Sequence, residues 1–131
     1  MDTLHVVLAA VGTLTLITPA MSAQEVVTKE QLCKAAIAKT MGRDPKVMQV
    51  LKIDSGIVSL QYVRKSDGSL WAYRCRVEGS QIIWASDSGR WRDDPRDERI
   101  TYSIEGGTVT IKETLTSGDT TQVKFKSSQL Q

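Results

Sequence analysis

One segment near the start of the chain carries apolar residues at the spacing of an α-helix. Thr28 and Gln31 have the spacing of a capping box just ahead of it, and Gly42 is typical of a helix end. The pattern predicts a helix over 28–41, with Cys33 directed toward the core and Lys39 toward solvent. The residues on the apolar face are Leu32, Cys33, Ala36, Ile37, Thr40 and Met41.

Beyond Pro45 the hydrophobic period changes to two, which is typical of strands. Because the turns between the strands are short, we expect antiparallel neighbours and a meander of about seven strands. Ile104 and Leu115 belong to the inward side of this pattern. The predicted strands cover 47–53, 57–64, 70–77, 81–86, 100–105, 108–115 and 122–126.

The alternation indicates a sheet with one buried face and one wet face. Trp71, Tyr73 and Cys75 fall on the buried side, whereas Arg74 and Arg76 fall on the solvated side. One helix is too narrow to cover so many strands, so the sheet must curl. The predicted fold is therefore α+β: an N-terminal helix packed on a curled antiparallel meander that forms a partial or closed barrel.

An apolar block at 6–17 precedes these elements, followed by small residues at Ala20, Ser22 and Ala23. The block is shorter than the ~20 apolar residues that span a bilayer. We predict a signal peptide at 1–23 and a single domain at 24–131, periplasmic or secreted, with no integral membrane segment after cleavage. The opening "MDTLH" lacks Lys and Arg, so a misplaced start codon or a buried N-terminal strand stays open.

The chain contains two cysteines, Cys33 and Cys75. In an exported protein oxidation is the default, so we predict a disulfide that clamps the helix to the strand carrying Trp71 and Tyr73. Two buried free thiols are the alternative, and that alternative follows chiefly if the segment 1–23 is not a signal peptide.

The sole histidine, His5, lies in the predicted signal peptide. A mature domain without it lacks Ser-His-Asp and Cys-His arrangements and histidine-ligated metals. Cleavage also removes Asp2 and raises the net charge from +2 to +3, a mild excess that is spread along the chain. We therefore expect a non-enzymatic domain that uses no cofactor or metal and binds no nucleic acid.

The most unusual segment is "SDSGRWRDDPRDER" at 86–99, which concentrates carboxylates and arginines around one tryptophan. It favours either a salt-bridged loop that closes one end of the sheet or a recognition loop, since Trp and Arg dominate interface hot spots. A carboxylate hydrolase that pairs Asp93 or Asp94 with Asp97 or Glu98 is a third hypothesis. The candidate partner-binding residues are Arg90, Trp91, Arg92, Asp94 and Arg96, and the expected partner is a protein.

Two further features have alternative interpretations. Leu60, Tyr62 and Trp84 are predicted core residues, but in a hollow sheet they would line a site for a small apolar ligand. The basic positions of neighbouring strands are interpreted as a solvated face rather than a binding patch. Those positions are Arg64, Lys65, Arg74 and Arg76.

The segments "CKAAIAKTMGRDP", "WAYRC", "GRWR" and "DERITY" resemble a group of small exported bacterial proteins without an assigned activity. The resemblance covers about residues 33–130 and implies no ligand or catalytic residue. In size, export and architecture the chain is more loosely similar to periplasmic lysozyme inhibitors, which are small disulfide-bearing β-barrels. That second similarity is one of fold alone.

Overall fold

The computed structural model describes Gly12 and residues 26–131, so the predicted signal peptide, Gly12 aside, lies outside the described residues. The helix and the strands match the predicted elements closely. Two short 3₁₀ helices, Pro45–Val47 and Ser127–Leu130, were not predicted. The elements are α1 Lys29–Met41, β1 Gln49–Asp54, β2 Ile57–Val63, β3 Leu70–Glu78, β4 Gln81–Ser86, β5 Arg99–Glu105, β6 Thr108–Thr114 and β7 Thr120–Lys126.

The ends of α1 are closed by the residues that predicted them. The Thr28 hydroxyl accepts a hydrogen bond from the Gln31 backbone N–H, and the Gln31 side chain accepts one from the Thr28 N–H. This reciprocal pair satisfies two donors that a helix start leaves free. At the other end Gly42 adopts a left-handed φ of 62°, which a residue with a side chain would adopt at a cost.

The strands form one antiparallel sheet in chain order, from β1 at one edge to β7 at the other. The sheet is thus open, and closure into a barrel is not confirmed. Seven strands spaced ~4.8 Å apart span ~29 Å, whereas a helix is only ~10 Å across. Nevertheless α1 contacts β1, β2, β3, β4 and β6. A single helix can reach all of these only if the sheet curls around it.

Helix α1 is therefore the centre of the core rather than a cover on one face. Its alanines let strands approach from several sides, because they add little bulk around the helix axis. The Cys33–Cys75 disulfide joins α1 to β3 with the two Cα atoms 5.9 Å apart, which confirms the predicted clamp. The α1 residues buried from solvent are Leu32, Cys33, Ala35, Ala36, Ile37 and Ala38.

Away from the 86–99 segment, four side chains lie in surroundings that differ from the prediction. Trp71 is 39% exposed, because it lies next to the β2–β3 turn at an open end of the curl. Ile104 and Leu115 are exposed for a similar reason, each beside a turn. Lys39 turns inward, where its Nζ pairs with Glu113 at 3.3 Å and donates to Thr121 at 2.8 Å. The exposure of side chains at strand ends and at the edge of the helix depends on how the sheet curls. The alternation of apolar and polar residues does not describe that curl.

Candidate functional site: the surface of the 86–99 loop

The 86–99 loop lies where the sheet opens between β4 and β5. These strands pair only at Gln81–Thr101 and Ile82–Ile100, although β4 continues to Ser86. Along the part of β4 that has no partner in β5, the Arg92 backbone N–H donates to the Trp84 carbonyl at 2.9 Å. The loop thus takes over part of the role of a strand, which explains why it can be long and still ordered.

Trp91 is half-buried against the domain instead of projecting from it. The guanidinium carbons of Arg74 and Arg76 lie 4.7 Å and 4.4 Å from the centre of its ring. These arginines occupy the outer face of β3 and pair in register with Ala85 and Ile83 of β4, both of which are buried. The expectation of a solvated face at Arg74 and Arg76 was wrong, because the loop folds over it.

Trp91 was one of the candidate binding residues, and the structure assigns its ring a packing role. Cation–π contacts with two guanidiniums are worth ~0.5–2 kcal/mol each, depending on how dry the site is. The arginines that hold the ring were missed as its partners. The sequence does contain a signal for this contact. Arg74 and Arg76 alternate on one face of β3, and the loop carries a tryptophan that has no predicted packing partner.

Three of the loop arginines form ion pairs with loop carboxylates, as the clustering of charges predicted. Arg90 makes two parallel hydrogen bonds to Asp97, at 2.8 Å and 2.7 Å. This bidentate geometry is the strongest form of the arginine–carboxylate pair. The other pairs are Arg96–Asp94 at 3.0 Å, Arg92–Glu98 at 3.3 Å and, reaching from β3, Arg76–Asp93 at 3.2 Å.

The segment Asp94–Asp97 forms a tight turn that presents Arg96. The Asp97 N–H donates to the Asp94 carbonyl at 2.9 Å, and the Asp94 N–H donates to the Asp97 carboxylate at 3.0 Å. The Arg96 N–H donates to the Asp94 carboxylate at 2.9 Å. The backbone is fixed from both ends, while 90% of the Arg96 side chain is exposed.

The arginine partners lower the pKa of two loop carboxyls, Asp94 and Asp97, and so favour their ionised form. The hydrogen bonds from Arg90 lower the pKa of Asp97 from 3.8 to about 2. The hydrogen bond from the Arg96 side chain likewise lowers the pKa of Asp94. A general acid needs the opposite shift, so these surroundings do not favour the hydrolase hypothesis.

The lowered pKa of Asp97 predicts an acid-dependent loosening of the loop. A carboxyl whose folded pKa is lowered stabilises the fold above its ordinary pKa, and the contribution disappears as the pH falls from about 3.8 to about 2. Near-ultraviolet circular dichroism, to which Trp91 contributes together with the other aromatic residues, should change over this range. Asp97→Asn should already show at pH 6 part of the signal that the native protein gains only in acid. An acid transition of equal amplitude in both proteins would contradict the assignment.

A shallow polar cavity of about 390 Å³ lies between the loop and the start of β5. Charged side chains make up most of its lining, which suits a polar group of a partner better than an apolar ligand. Among residues 26–131 no group of His, Cys, Asp and Glu side chains is arranged to hold a metal ion. The cavity is lined by Gln81, Arg92, Asp93, Asp94, Pro95, Asp97, Glu98 and Arg99.

The interior of the curl holds α1 where an apolar-ligand carrier would need open space. Leu60, Tyr62 and Trp84 are buried in the same hydrophobic cluster as the α1 residues, as core residues should be. Tyr62 stacks on Trp71 and on Tyr73, with ring centres 6.4 Å and 6.2 Å apart, and Tyr73 meets Trp84 edge-on at 5.9 Å. Burial raises the pKa of the Tyr73 hydroxyl, as expected inside such a cluster.

Within the described part of the chain no helix is long and apolar enough to cross a membrane. Comparisons with protein-family models, with curated proteins and with solved structures found no match to this chain.

Proposed function

We propose that the domain is a non-enzymatic, exported binding module that recognises another protein through the 86–99 loop. The observation that carries the proposal is the fixed turn at Asp94–Asp97, which holds the exposed Arg96 in one position. A loop that is already ordered loses little conformational freedom on binding, so more of its contact energy appears as affinity.

The loop residues divide into supporting and contacting groups. Trp91 and Asp97 support the loop from below, through the β3 arginines and through Arg90. Arg96 is 90% exposed whereas its ion-pair partner Asp94 is 36% exposed, and a carboxylate on a partner would compete with Asp94 for the Arg96 guanidinium. Arginine is enriched among interface hot spots, because it offers several hydrogen bonds together with a flat stacking surface.

Other features of the described residues support export and the absence of catalysis. A buried disulfide is typical of proteins that fold in an oxidising compartment. The loop acids Asp94 and Asp97 are held in their ionised form by neighbouring arginines. These groups suit electrostatic recognition better than proton transfer.

Quantitative affinity capture from an envelope extract of the source organism tests the proposal. Native protein, Arg96→Ala and Lys112→Ala would be immobilised at equal density. Lys112 is a matched control, because it is also an exposed basic residue but lies on β6 and does not line the cavity beside the loop. We expect one partner to be depleted at least about tenfold by Arg96→Ala, the loss of a moderate hot spot, and to be retained by Lys112→Ala.

A comparison of Trp91→Phe with Trp91→Ala tests whether Trp91 supports the loop rather than contacting the partner itself. Phe preserves an aromatic ring for the arginines of β3, so capture should be largely retained. Ala removes the ring, and both capture and the near-ultraviolet signal of the loop should fall together. Capture that is unchanged by Arg96→Ala and by Trp91→Ala would show that the loop is not the recognition surface.

A further inference from the structure

An apolar surface that the 86–99 loop does not touch surrounds the end of the β2–β3 hairpin. Val63 and Leu70 form the last cross-strand pair before the turn and are 54% and 59% exposed. Val47 is also exposed and lines the same two adjoining depressions as Val63, of about 310 Å³ and 290 Å³. Val47, Val63, Leu70 and Trp71 together are called the hairpin patch below.

The hairpin patch breaks the rule that one face of such a sheet is polar. Val63 and Leu70 lie on the outer face, where Ser59, Gln61 and Arg74 occupy other positions. Trp71 lies on the inner face and is exposed as well. A hairpin end that is apolar on both faces does not follow from core packing, and contiguous exposed apolar surface rimmed by polar groups marks an interaction site.

The rim of the hairpin patch is basic. Arg43, Lys46 and Lys65 are exposed, and none of them forms an ion pair within residues 26–131. Arg64 adds a fourth cationic side chain, and its guanidinium carbon lies 5.0 Å from the centre of the Trp71 ring. Arg43 and Lys65 line the depressions beside Val63, so positive charge flanks the apolar side chains.

The nearby acids are engaged within the protein. Asp67 binds the Arg64 guanidinium and accepts hydrogen bonds from Ser69. Asp44 caps the short helix at Pro45–Val47 by accepting from the Lys46 N–H at 2.9 Å. Four basic residues against these two acids give the rim a net positive charge, which complements an anionic occupant.

We propose that the domain docks on anionic phospholipid surfaces through the hairpin patch. A tryptophan with aliphatic neighbours and flanking Lys and Arg is the set of side chains that the membrane interface favours. The apolar groups would enter the headgroup boundary, while the basic rim contacts phosphate groups.

Vesicle co-sedimentation with the full chain tests this docking. The probes are vesicles of equal parts phosphatidylglycerol and phosphatidylcholine, with pure phosphatidylcholine for comparison. We expect binding to the anionic vesicles that weakens as salt is raised. Lys65→Gln should weaken it about fivefold, the fold-change that corresponds to ~1 kcal/mol for one basic residue near an anionic surface.

The matched pair for the apolar part is Leu70→Ser and Leu115→Ser. Both leucines are exposed, at 59% and 44%, but Leu115 lies at the β6–β7 turn, outside the hairpin patch. Leu70→Ser should weaken vesicle binding at least about fivefold, because a leucine enters the interface, whereas Leu115→Ser should not. Any vesicle binding by other parts of the chain is the same in both variants and does not affect the comparison.

Trp71 supplies a readout of position. Its exposed indole should move to a drier environment on the vesicle and shift the emission to shorter wavelength, and Trp71→Phe should abolish that shift. Equal vesicle binding by Leu70→Ser and Leu115→Ser would overturn the proposal. The proposal would also be overturned if the protein without vesicles sedimented as a dimer and Leu70→Ser made that dimer dissociate. The occupant of the hairpin patch would then be a second copy of the chain.

Discussion

Replacing Cys33 and Cys75 together by serine should lower the free energy of unfolding by about 2–4 kcal/mol. The bond spans a sequence separation of 42 residues, from the first half of α1 to the middle of β3. Without it the unfolded chain regains the freedom of that loop, for which chain-entropy arithmetic gives about 4 kcal/mol. For a domain of this size that is a large part of a total of roughly 5–15 kcal/mol.

Urea unfolding of the native and double-serine proteins measures the difference. Native protein unfolded in the presence of a reductant should also show a lowered midpoint, because it lacks the same bond as the double-serine variant. The intact mass, two hydrogens below that of the reduced chain, verifies the bond in the starting material. Equal midpoints for native and double-serine protein would contradict the clamp.

Ile37→Ala should cost about 3 kcal/mol, within the range of 2–5 kcal/mol found for large-to-small changes at buried positions. Ile37 is fully buried on α1, in the hydrophobic cluster that the sheet encloses. Strands approach α1 from several directions, so the surroundings cannot collapse easily into the space that the side chain leaves. Equilibrium urea unfolding measures the loss.

Lys34→Ala is the matched control on the same helix. Lys34 is only partly buried, and alanine is the better helix former. We expect the free energy of unfolding to change by less than about 0.5 kcal/mol in this variant. If Ile37→Ala were equally mild, α1 would lie on the sheet as a loose cover and would not form the centre of the core.

The 86–99 loop shows how sequence and structure contribute to one site. Clustered Arg and Asp residues predicted the ion pairs, because oppositely charged groups close in sequence meet easily. The clustering did not show which face of the loop points outward. The structure turns Trp91 toward Arg74 and Arg76 and leaves Arg96 exposed. For this reason Arg96, rather than Trp91, is the residue whose substitution tests direct contact with a partner.

The sequence by itself determined the elements of this protein. Capping residues and apolar spacing located α1, and alternation located seven strands whose order follows the chain. The disulfide was also predictable, since only two cysteines occur and each falls on an apolar face. These features depend on neighbours within a few residues or on a simple count.

Only the tertiary structure determined which side chains are covered from solvent and which elements cover them. The curl of the sheet around α1 leaves Trp71 exposed and turns Lys39 toward Glu113. The narrow pairing of β4 with β5 makes room for the loop that covers Arg74. Each outcome depends on contacts between residues far apart in the chain. Local periodicity assigns a residue to one face of its own strand but does not show what folds over that face.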